Sequence, residues 1–376
     1  MEAFQPVSGD HLCVHRPRPS LVQKIGLASR VLGTTFVTIF LNAFVFVAKS
    51  LHPFLGRKTY RRLCDFVQHA WFDAAFLMMS RTRMHVYGRK DLHVDDNDKR
   101  PRIVIANHAT DVDWFYLWMV AHTCENPRSG HVKVMLKEGV RQIPLYGWLL
   151  HQLDFLWMKR NWEEDRTAID STLKRLCGDQ EHLWLVMFPE GMTINTKSVG
   201  KSHDFAKAEA RPKLDLTLLP RDKGLTAVLE ATKHLNPEIV DVTMAFESFS
   251  GEIPTWEMGY ERNTDHLVPN VKKLFAGMSG DVYIDLETFD AQTVMTHPSG
   301  IRGWLDERWV RKDAYLKHFV KNESFPAEKT QYEIKVPQGS LSRFGVIMLC
   351  DCVVGYGLFR LVAEAWKRGK KFSSGS

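Results

Sequence analysis

The segment VIANHATDVDWFYLW, residues 104–118, starts as an uninterrupted apolar run and then places three ionisable side chains within six residues. An unbroken apolar run is typical of a strand that is buried on both faces of a sheet. An aspartate directly before a new apolar stretch is typical of the first turn of a helix. The segment therefore predicts a buried strand that turns straight into a helix. His108, Asp111 and Asp113 lie at that turn, where a folded core tolerates them only if they are paired or functional.

Strand-like and helix-like segments alternate on both sides of this turn. Short apolar runs that resemble strands recur at residues 102–107, 131–136, 154–158, 183–188, 240–246 and 281–286. Between them, residues 163–177 and 224–235 are apolar at three- and four-residue intervals, which is typical of helices with one buried face. The alternation predicts an α/β fold with a mostly parallel central sheet and covering helices.

Apolar regions near both ends of the chain predict association with a membrane. Residues 31–48 carry no charge and approach the roughly 20 residues that one crossing requires. A shorter apolar segment follows at 66–80, and basic residues lie on both sides of the pair. Two helices that enter the membrane and return to the same face fit these charges better than a single crossing. For the first segment, a buried helix of a soluble core is the alternative. Residues 344–366 predict a further hydrophobic helix, followed by basic residues.

The chain is thereby divided into four predicted parts. They are a flexible tail (1–24), an N-terminal membrane-embedded helix pair (25–83), an α/β domain (84–338), and a C-terminal hydrophobic helix with a basic tail (339–376). The net charge of +6 is compatible with anionic lipids or phosphorylated ligands. The six cysteines show no C-x-x-C pair and no zinc-like spacing with histidine. We therefore expect neither a metal site nor a disulfide framework, and a cytosol-facing protein.

His108 and Asp113 are the strongest candidates for chemistry. Across the first turn of the predicted helix their side chains can meet, and a carboxylate bonded to one imidazole nitrogen leaves the other nitrogen free to remove a proton. A hydroxyl group activated in this way can attack an acyl group without a serine or cysteine nucleophile. The alternative is structural, with Asp113 as a helix cap and His108 half-buried.

Three further turns carry polar groups that suit a ligand. Glu190 and Gly191 follow an apolar strand-like run, where they could offer a carboxylate and open backbone N–H groups to a polar head group. Lys137, Arg221 and Lys223 are basic residues in predicted turns, where they suit a phosphate. Each of these, taken singly, is equally compatible with an ordinary turn or a solvated loop.

Taken together and in order, these segments resemble the glycerolipid acyltransferase family typified by the 1-acylglycerol-3-phosphate acyltransferases. The family motif N-H-x-x-x-x-D is matched by Asn107, His108 and Asp113, K-x-x-x-x-x-I-P-x-x-G by Lys137, Ile143, Pro144 and Gly147, and F-P-E-G by residues 188–191. A basic block at 158–166 and an apolar strand leading to Ile253-Pro254 complete the series over residues 103–254. The chain looks most like the eukaryotic branch that contains the lysophosphatidic acid and the lysocardiolipin or lysophosphatidylinositol acyltransferases.

The resemblance implies that residues 84–338 are an acyltransferase catalytic domain. The enzyme would move a fatty acyl group from the co-substrate acyl-CoA to the free sn-2 hydroxyl of a lysophospholipid, without a cofactor or metal. His108 and Asp113 would be catalytic, and the substrate would be bound by Asn107, Lys137, Glu190, Gly191, Arg221 and Lys223. Backbone N–H groups near Gly191 would stabilise the oxyanion. The expected partners are acyl-CoA, the lysophospholipid and the bilayer, with no nucleic acid, and the expected location is the endoplasmic reticulum membrane with the site facing the cytosol.

The weight of the family predicts lysophosphatidic acid as the acceptor and phosphatidic acid as the product. One departure favours a phosphodiester acceptor instead, such as lysophosphatidylinositol, lysocardiolipin or lysophosphatidylglycerol. The family often reads E-G-T-R, with the arginine implicated in binding phosphate, whereas this chain has Met192 and Thr193 at the last two positions. A phosphomonoester, which carries nearly two negative charges, would miss that cation more than a phosphodiester would.

Two other functional classes are alternatives. A hydrolase or thioesterase would need an activated nucleophile, and the chain has no G-x-S-x-G motif. A non-catalytic membrane lipid-binding protein would keep the apolar helices and basic flanks. It would have no need for His108, Asp113 and Glu190 together.

Overall fold

The computed structural model describes residues 21–78, 82–88, 98–122, 128–179, 182–255, 265–326, 331–334 and 340–373. Most of the predicted flexible tail, residues 1–20, lies outside these ranges, and residues 21–24 begin the first helix. The side chains of the predicted basic tail after Leu361 also lie outside the description.

One sheet organises the described part of the chain. Its strands are β1 (Met84–Gly88), β2 (Arg102–Ala106), β3 (Val132–Lys137), β4 (Leu156–Met158), β5 (Trp184–Met187), β6 (Glu238–Phe246), β7 (Val282–Asp290) and β8 (Gln331–Ile334). They lie in the order β4-β3-β5-β2-β6-β7-β1-β8. The first five strands in this order, which are β4, β3, β5, β2 and β6, are mutually parallel. Strand β7 runs antiparallel to β6, and β8 runs antiparallel to β1. The predicted mostly parallel α/β sheet is confirmed, and all six predicted strands are present.

Helices cover both faces of the sheet. They are α1 (Leu21–Met78), α2 (Asp113–His122), α3 (Tyr146–Gln152), α4 (Trp162–Gly178), α5 (Thr196–Ala208), α6 (Asp222–Thr232), α7 (Val271–Ala276), α8 (Ala291–Met295), α9 (Gly300–Asn322) and α10 (Ser342–Ser373). One hydrophobic core joins α1 and α2 to one face, and a second joins α4, α6 and α9 to the other. Strand β2 is buried at every position because Val104 and Ala106 enter the first core and Ile103 and Ile105 the second.

Helix α1 is a pair of helices that doubles back on itself. Gly56 interrupts it with a φ of +74°, a left-handed conformation that glycine adopts without steric cost. Phe36 in the first half packs edge-on against Phe344 of α10, while Asp73 in the second half pairs with the neighbouring Arg343. Both halves therefore meet the same end of α10, so they run in opposite directions, as the helix pair of the sequence predicts.

The two halves of α1 differ in what surrounds them. The second half carries Val67, Ala70 and Phe72, which are completely buried against the domain. The first half and α10 expose many large apolar side chains, among them Phe46 and Phe359. By length and composition, Lys24–Leu77 and Ser342–Leu361 are candidate membrane spans. Their exposed apolar surface is the kind that lipid would cover.

Candidate active site

The candidate residues converge at the carboxyl edge of the parallel strands. Strands β2 and β5 are neighbours, so the loop that begins at Asn107 and the loop that contains Glu190 leave the sheet side by side. Crevices outside the carboxyl ends of parallel strands are where open α/β sheets bind ligands. Order in the sheet, and not proximity in the sequence, brings these two loops together.

Asn107 ends β2 and fixes the direction of the following turn. Its side-chain amide donates to the carbonyl of Met244 at 3.0 Å, and its side-chain oxygen accepts from the Met244 N–H at 2.8 Å. The side chain thus imitates one more residue of the β2–β6 ladder while the backbone turns away. Because Asn107 is buried and both ends of its amide are engaged, its contacts position His108.

His108 and Asp113 meet as the spacing predicts. His108 Nδ1 lies 3.0 Å from Asp113 Oδ2, and the Asp113 carboxylate is completely buried. Thr110 donates to the same carboxylate from its backbone N–H at 2.9 Å and from its hydroxyl at 2.6 Å. With Nδ1 donating to a carboxylate fixed in this way, Nε2 is the nitrogen that can accept a proton. Asp113 also begins α2, so the capping role and the pairing with His108 occur together.

The imidazole is held from its flat side as well. The ring of Phe188 stacks on the ring of His108, with centroids 4.1 Å apart and planes 16° from parallel. The His108 side chain keeps 18% of its surface exposed, so a substrate can reach it. Asp111, the third ionisable group of the turn, is partly buried, and burial raises its pKa to about 6.

Glu190 is a buried carboxylate that touches three donors. Its Oε1 accepts the backbone N–H of His108 at 3.2 Å and the indole N–H of Trp309 at 3.0 Å. Its Oε2 accepts the backbone N–H of Leu218 at 3.2 Å. Glu190 is only 3% exposed, and this burial raises its pKa from the ordinary 4.5 to about 8, although all three hydrogen bonds favour the charged form. Its contacts join the loops after β2 and β5.

Gly191 turns the chain at the edge of the site. Its φ of +76° lies in the region that favours glycine, and its N–H donates to the Phe188 carbonyl at 2.9 Å. The N–H of Gly191 itself is therefore engaged within the turn, and an oxyanion site made by backbone N–H groups near Gly191 stays a prediction. A Cβ at position 191 would lie 3.7 Å from the guanidinium carbon of Arg221.

The three basic candidates differ in their distance from this turn. Arg221 is exposed, adjoins Gly191 and forms no ion pair within the described part of the chain. Lys137 is exposed at the end of β3, which β5 separates from β2. Lys223 is exposed in the first turn of α6, with its ammonium 5.6 Å from the ring centre of Trp162 on α4. Of these three candidates, Arg221 is the one that the fold brings against the Glu190–Gly191 turn.

Thr193, which stands where the family often has arginine, is 9% exposed. The segment around it is tied down: the N–H of Ile194 donates to the His108 carbonyl at 3.0 Å, and Asn195 and Ser198 form a capping box at the start of α5. The Cα and Cβ atoms of residue 193 therefore lie in a packed region and not on the open surface of the crevice.

Two residues of the site were not found from the sequence. Thr110 had a signal, because Thr110-x-x-Asp113 is the capping-box pattern in which the acidic side chain accepts the N–H of the first residue. Trp309 had none, because it lies 119 residues after Glu190 and reaches it only through the packing of α9.

Comparisons with known proteins place the chain in a family. A family model described as Acyltransferase matches residues 83–247, and one described as Acyltransferase C-terminus matches residues 273–347. A "Probable 1-acyl-sn-glycerol-3-phosphate acyltransferase 5" of Arabidopsis thaliana is 28% identical over 65% of this chain and 60% of its own length. "Lysocardiolipin acyltransferase 1" of Gallus gallus is 27% identical over 76% of this chain and 72% of its own length.

The match to the Arabidopsis protein thus spans less than two thirds of that protein. Among solved structures, the 1-acyl-sn-glycerophosphate (LPA) acyltransferase PlsC from Thermotoga maritima has 17% identity and a TM-score of 0.39, with coverage of 77% of this chain and 98% of that one. The two family matches contain every residue of the site described above, from Asn107 to Trp309. The chain therefore belongs to the family of 1-acylglycerol-3-phosphate and lysophospholipid acyltransferases.

Proposed function

We propose that this protein is an acyl-CoA:lysophospholipid O-acyltransferase in which His108 is the general base. The observation that carries the proposal is the 3.0 Å contact between His108 Nδ1 and Asp113 Oδ2. That contact fixes the tautomer in which Nε2 accepts a proton. The partial exposure of the imidazole supports access by a substrate hydroxyl.

The proposed reaction transfers the acyl group and one proton between the two substrates and needs no further reactant. Nε2 of His108 takes the proton of the free hydroxyl, which we assign to the sn-2 position, as its oxygen bonds to the thioester carbonyl carbon of acyl-CoA. Asp113 stabilises the resulting imidazolium. The tetrahedral intermediate then breaks its C–S bond, the electron pair goes to sulfur, and the imidazolium returns its proton to the CoA thiolate. The products are the acylated lipid and CoA, and the reaction as proposed uses neither a metal nor a cofactor.

Substrate contacts follow from where the charges lie. Arg221 beside Gly191, with Lys137 and Lys223 farther along the same edge, would receive the phosphate of the acceptor. For Asn107 and Glu190, the buried contacts favour positioning of the His108 loop over direct contact with the substrate. We favour lysophosphatidic acid as the acceptor because Arg221, which has no ion-pair partner among the described residues, can supply the cation that Thr193 does not. A phosphodiester lysolipid is the second candidate.

The location proposed is the endoplasmic reticulum membrane, with the catalytic domain facing the cytosol. The exposed apolar surfaces of α1 and α10 support embedding in the bilayer. The reversal at Gly56 supports a helix pair that enters the membrane and returns to the same face. The lysolipid would then reach the site from the bilayer and acyl-CoA from the cytosol.

The decisive experiment measures release of CoA thiol by the purified protein in detergent or vesicles. We expect release only when acyl-CoA and a lysophospholipid are both present, with equimolar formation of the diacyl lipid. Equal release without the lysolipid would favour a thioesterase, and no release with any acceptor would favour a lipid-binding protein. A panel of head groups with one labelled acyl-CoA would then rank lysophosphatidic acid against the phosphodiester lysolipids.

A further inference from the structure

Helix α9 contacts Glu190 of the active site directly through Trp309. Trp309 is completely buried, and its indole N–H donates to Glu190 Oε1 at 3.0 Å. The same oxygen accepts the backbone N–H of His108. One oxygen atom of Glu190 therefore lies between a residue of α9 and the backbone of the proposed catalytic base.

Buried charges hold α9 in register with the sheet. Lys312, one turn after Trp309, is completely buried and donates to the Val242 carbonyl at 2.5 Å while pairing with Asp241 at 2.6 Å. Arg308 pairs with the same Asp241 at 2.6 Å. Separating a buried ion pair is costly, because it leaves a charge without compensation. Trp309 is therefore flanked on its own helix by two anchors to β6.

A second route from α9 reaches the other oxygen of Glu190. The Asp313 carboxylate accepts the backbone N–H groups of Asp215 and Leu216 at 2.9 and 2.6 Å. Two residues later, the N–H of Leu218 donates to Glu190 Oε2. Both carboxylate oxygens of Glu190 thus have a donor whose place depends on α9.

We propose that Trp309 is a positioning residue for catalysis, whose indole N–H holds the Glu190 carboxylate where it accepts the backbone N–H of His108. The inference rests on the proposed function, because it takes His108 as the base. Without the indole donor, Glu190 keeps only the backbone donors of His108 and Leu218, so its contact with the loop that carries the imidazole is weakened. Substrate-binding groups such as Arg221 are not part of this chain of contacts.

The protonation of Glu190 supplies a readout specific to this role. Among the described residues, every donor to Glu190 is an N–H group, so a proton on either oxygen displaces one of them. Activity should therefore fall as pH falls through the pKa of Glu190, which burial raises to about 8. The Trp309 hydrogen bond lowers that pKa, so its loss raises the pKa further and moves the acidic limb of the rate profile to higher pH.

The test compares Trp309→Phe with Trp304→Phe. Trp304 lies on the same helix and in the same core, where its ring packs edge-on against Phe289. For Trp309→Phe we expect kcat to fall about tenfold, the rate equivalent of one hydrogen bond to a charged group. KM for both substrates should stay within about twofold of the wild-type value, as expected when binding is untouched. The acidic limb should move to higher pH only in Trp309→Phe.

A second variant separates the hydrogen bond from the ring volume. Site-specific replacement of Trp309 by 3-benzothienylalanine keeps the bicyclic shape and exchanges the N–H for sulfur, so it should reproduce the loss in kcat and the shift in pH while folding normally. If the pH–rate profiles of both Trp309 variants superpose on that of Trp304→Phe, the role assigned to Trp309 is wrong, while the proposed function stands. Wild-type activity in His108→Ala would overturn the proposed base and this inference together.

Discussion

The backbone N–H of His108 donates to the side chain of Glu190, 82 residues later, at a distance of 3.2 Å. This contact joins the loops that follow two neighbouring parallel strands, β2 and β5. His108 is therefore held by three contacts. Its Nδ1 meets Asp113, its ring stacks on Phe188, and its backbone N–H donates to Glu190. A base held in this way needs little rearrangement when the substrate arrives.

His108→Ala should lower kcat at least about a hundredfold, the usual contribution of a general base. The variant leaves the Glu190 contact intact, because that contact uses the backbone. The measurement is CoA release with a lysophospholipid acceptor, and the exposed His234→Ala serves as a control that should match the wild type. Near-normal turnover in His108→Ala would show that another residue removes the proton.

Thr110→Val should lower kcat about tenfold with little change in KM, because it removes the hydroxyl that donates to Asp113 at 2.6 Å and keeps the backbone donor. Asp113→Asn should be more severe, since a neutral amide neither stabilises the imidazolium nor fixes the tautomer. Thr167→Val, on the exposed face of α4, is the matched control. Equal rates in Thr110→Val and Thr167→Val would exclude a role for the hydroxyl.

Glu190→Gln should change how stability depends on pH. The pKa of Glu190 is raised in the folded protein, from 4.5 to about 8. Between these values the native state holds a proton that the unfolded state releases, so the contribution of Glu190 to stability is greatest below pH 4.5 and is lost as pH rises to about 8. In melting experiments from pH 5 to 8.5, the wild type should lose stability relative to Glu190→Gln. The exposed Glu163→Gln should keep a constant offset from the wild type, and a constant offset for Glu190→Gln would contradict the raised pKa of Glu190.

Arg221→Ala should raise KM for lysophosphatidic acid about tenfold, because it removes a cation from the edge of the site and leaves the His108–Asp113 pair in place. The increase should be smaller for lysophosphatidylinositol, which carries less charge on its phosphate. Arg166→Ala removes an exposed cation from α4 and controls for general charge effects. The same increase for both lipids would mean that Arg221 does not distinguish the phosphate groups.

Cysteine labelling should report Lys24 and Arg62 on one side of the membrane. Single Lys24→Cys and Arg62→Cys variants, made in a background in which all six native cysteines are replaced by serine or alanine, should each react with an impermeant maleimide added to the cytosolic side of sealed vesicles. The reason is the reversal at Gly56, which returns the second half of α1 toward the domain. Labelling of only one position would show that α1 crosses the membrane and does not return to the same side.

The sequence predicts strand β2 and the His108–Asp113 pair because both depend on neighbours along the chain. An unbroken apolar run follows when alternate residues such as Ile103 and Val104 enter cores on opposite faces. Spacing of five residues brings His108 and Asp113 together across the turn that precedes α2. Both features are therefore readable from local pattern alone.

Helix α9 and the contact of its Trp309 with the site cannot be predicted from local pattern. The helix buries Lys312 and Asp313, and charged residues in a core interrupt the apolar periodicity that marks a helical face. Strand β1, which lies between β7 and β8, is also missed, because five residues that include His85 give little alternation. The Trp309–Glu190 contact depends on how α9 packs on the completed sheet, which no spacing in the sequence encodes.

The two hydrogen bonds between Asn107 and Met244 also bear on how the protein ages chemically. Asparagine deamidates when the backbone nitrogen of the next residue attacks the side-chain carbonyl carbon and closes a succinimide ring. Here that nitrogen belongs to His108 and already donates to Glu190, while the Asn107 amide is held toward β6. Both partners of the ring closure are thus kept apart by the contacts that build the site. We expect Asn107 to deamidate slowly in the folded enzyme and quickly once it unfolds. An aspartate formed there would place a carboxylate against the Met244 carbonyl, and its presence would identify molecules that had unfolded earlier.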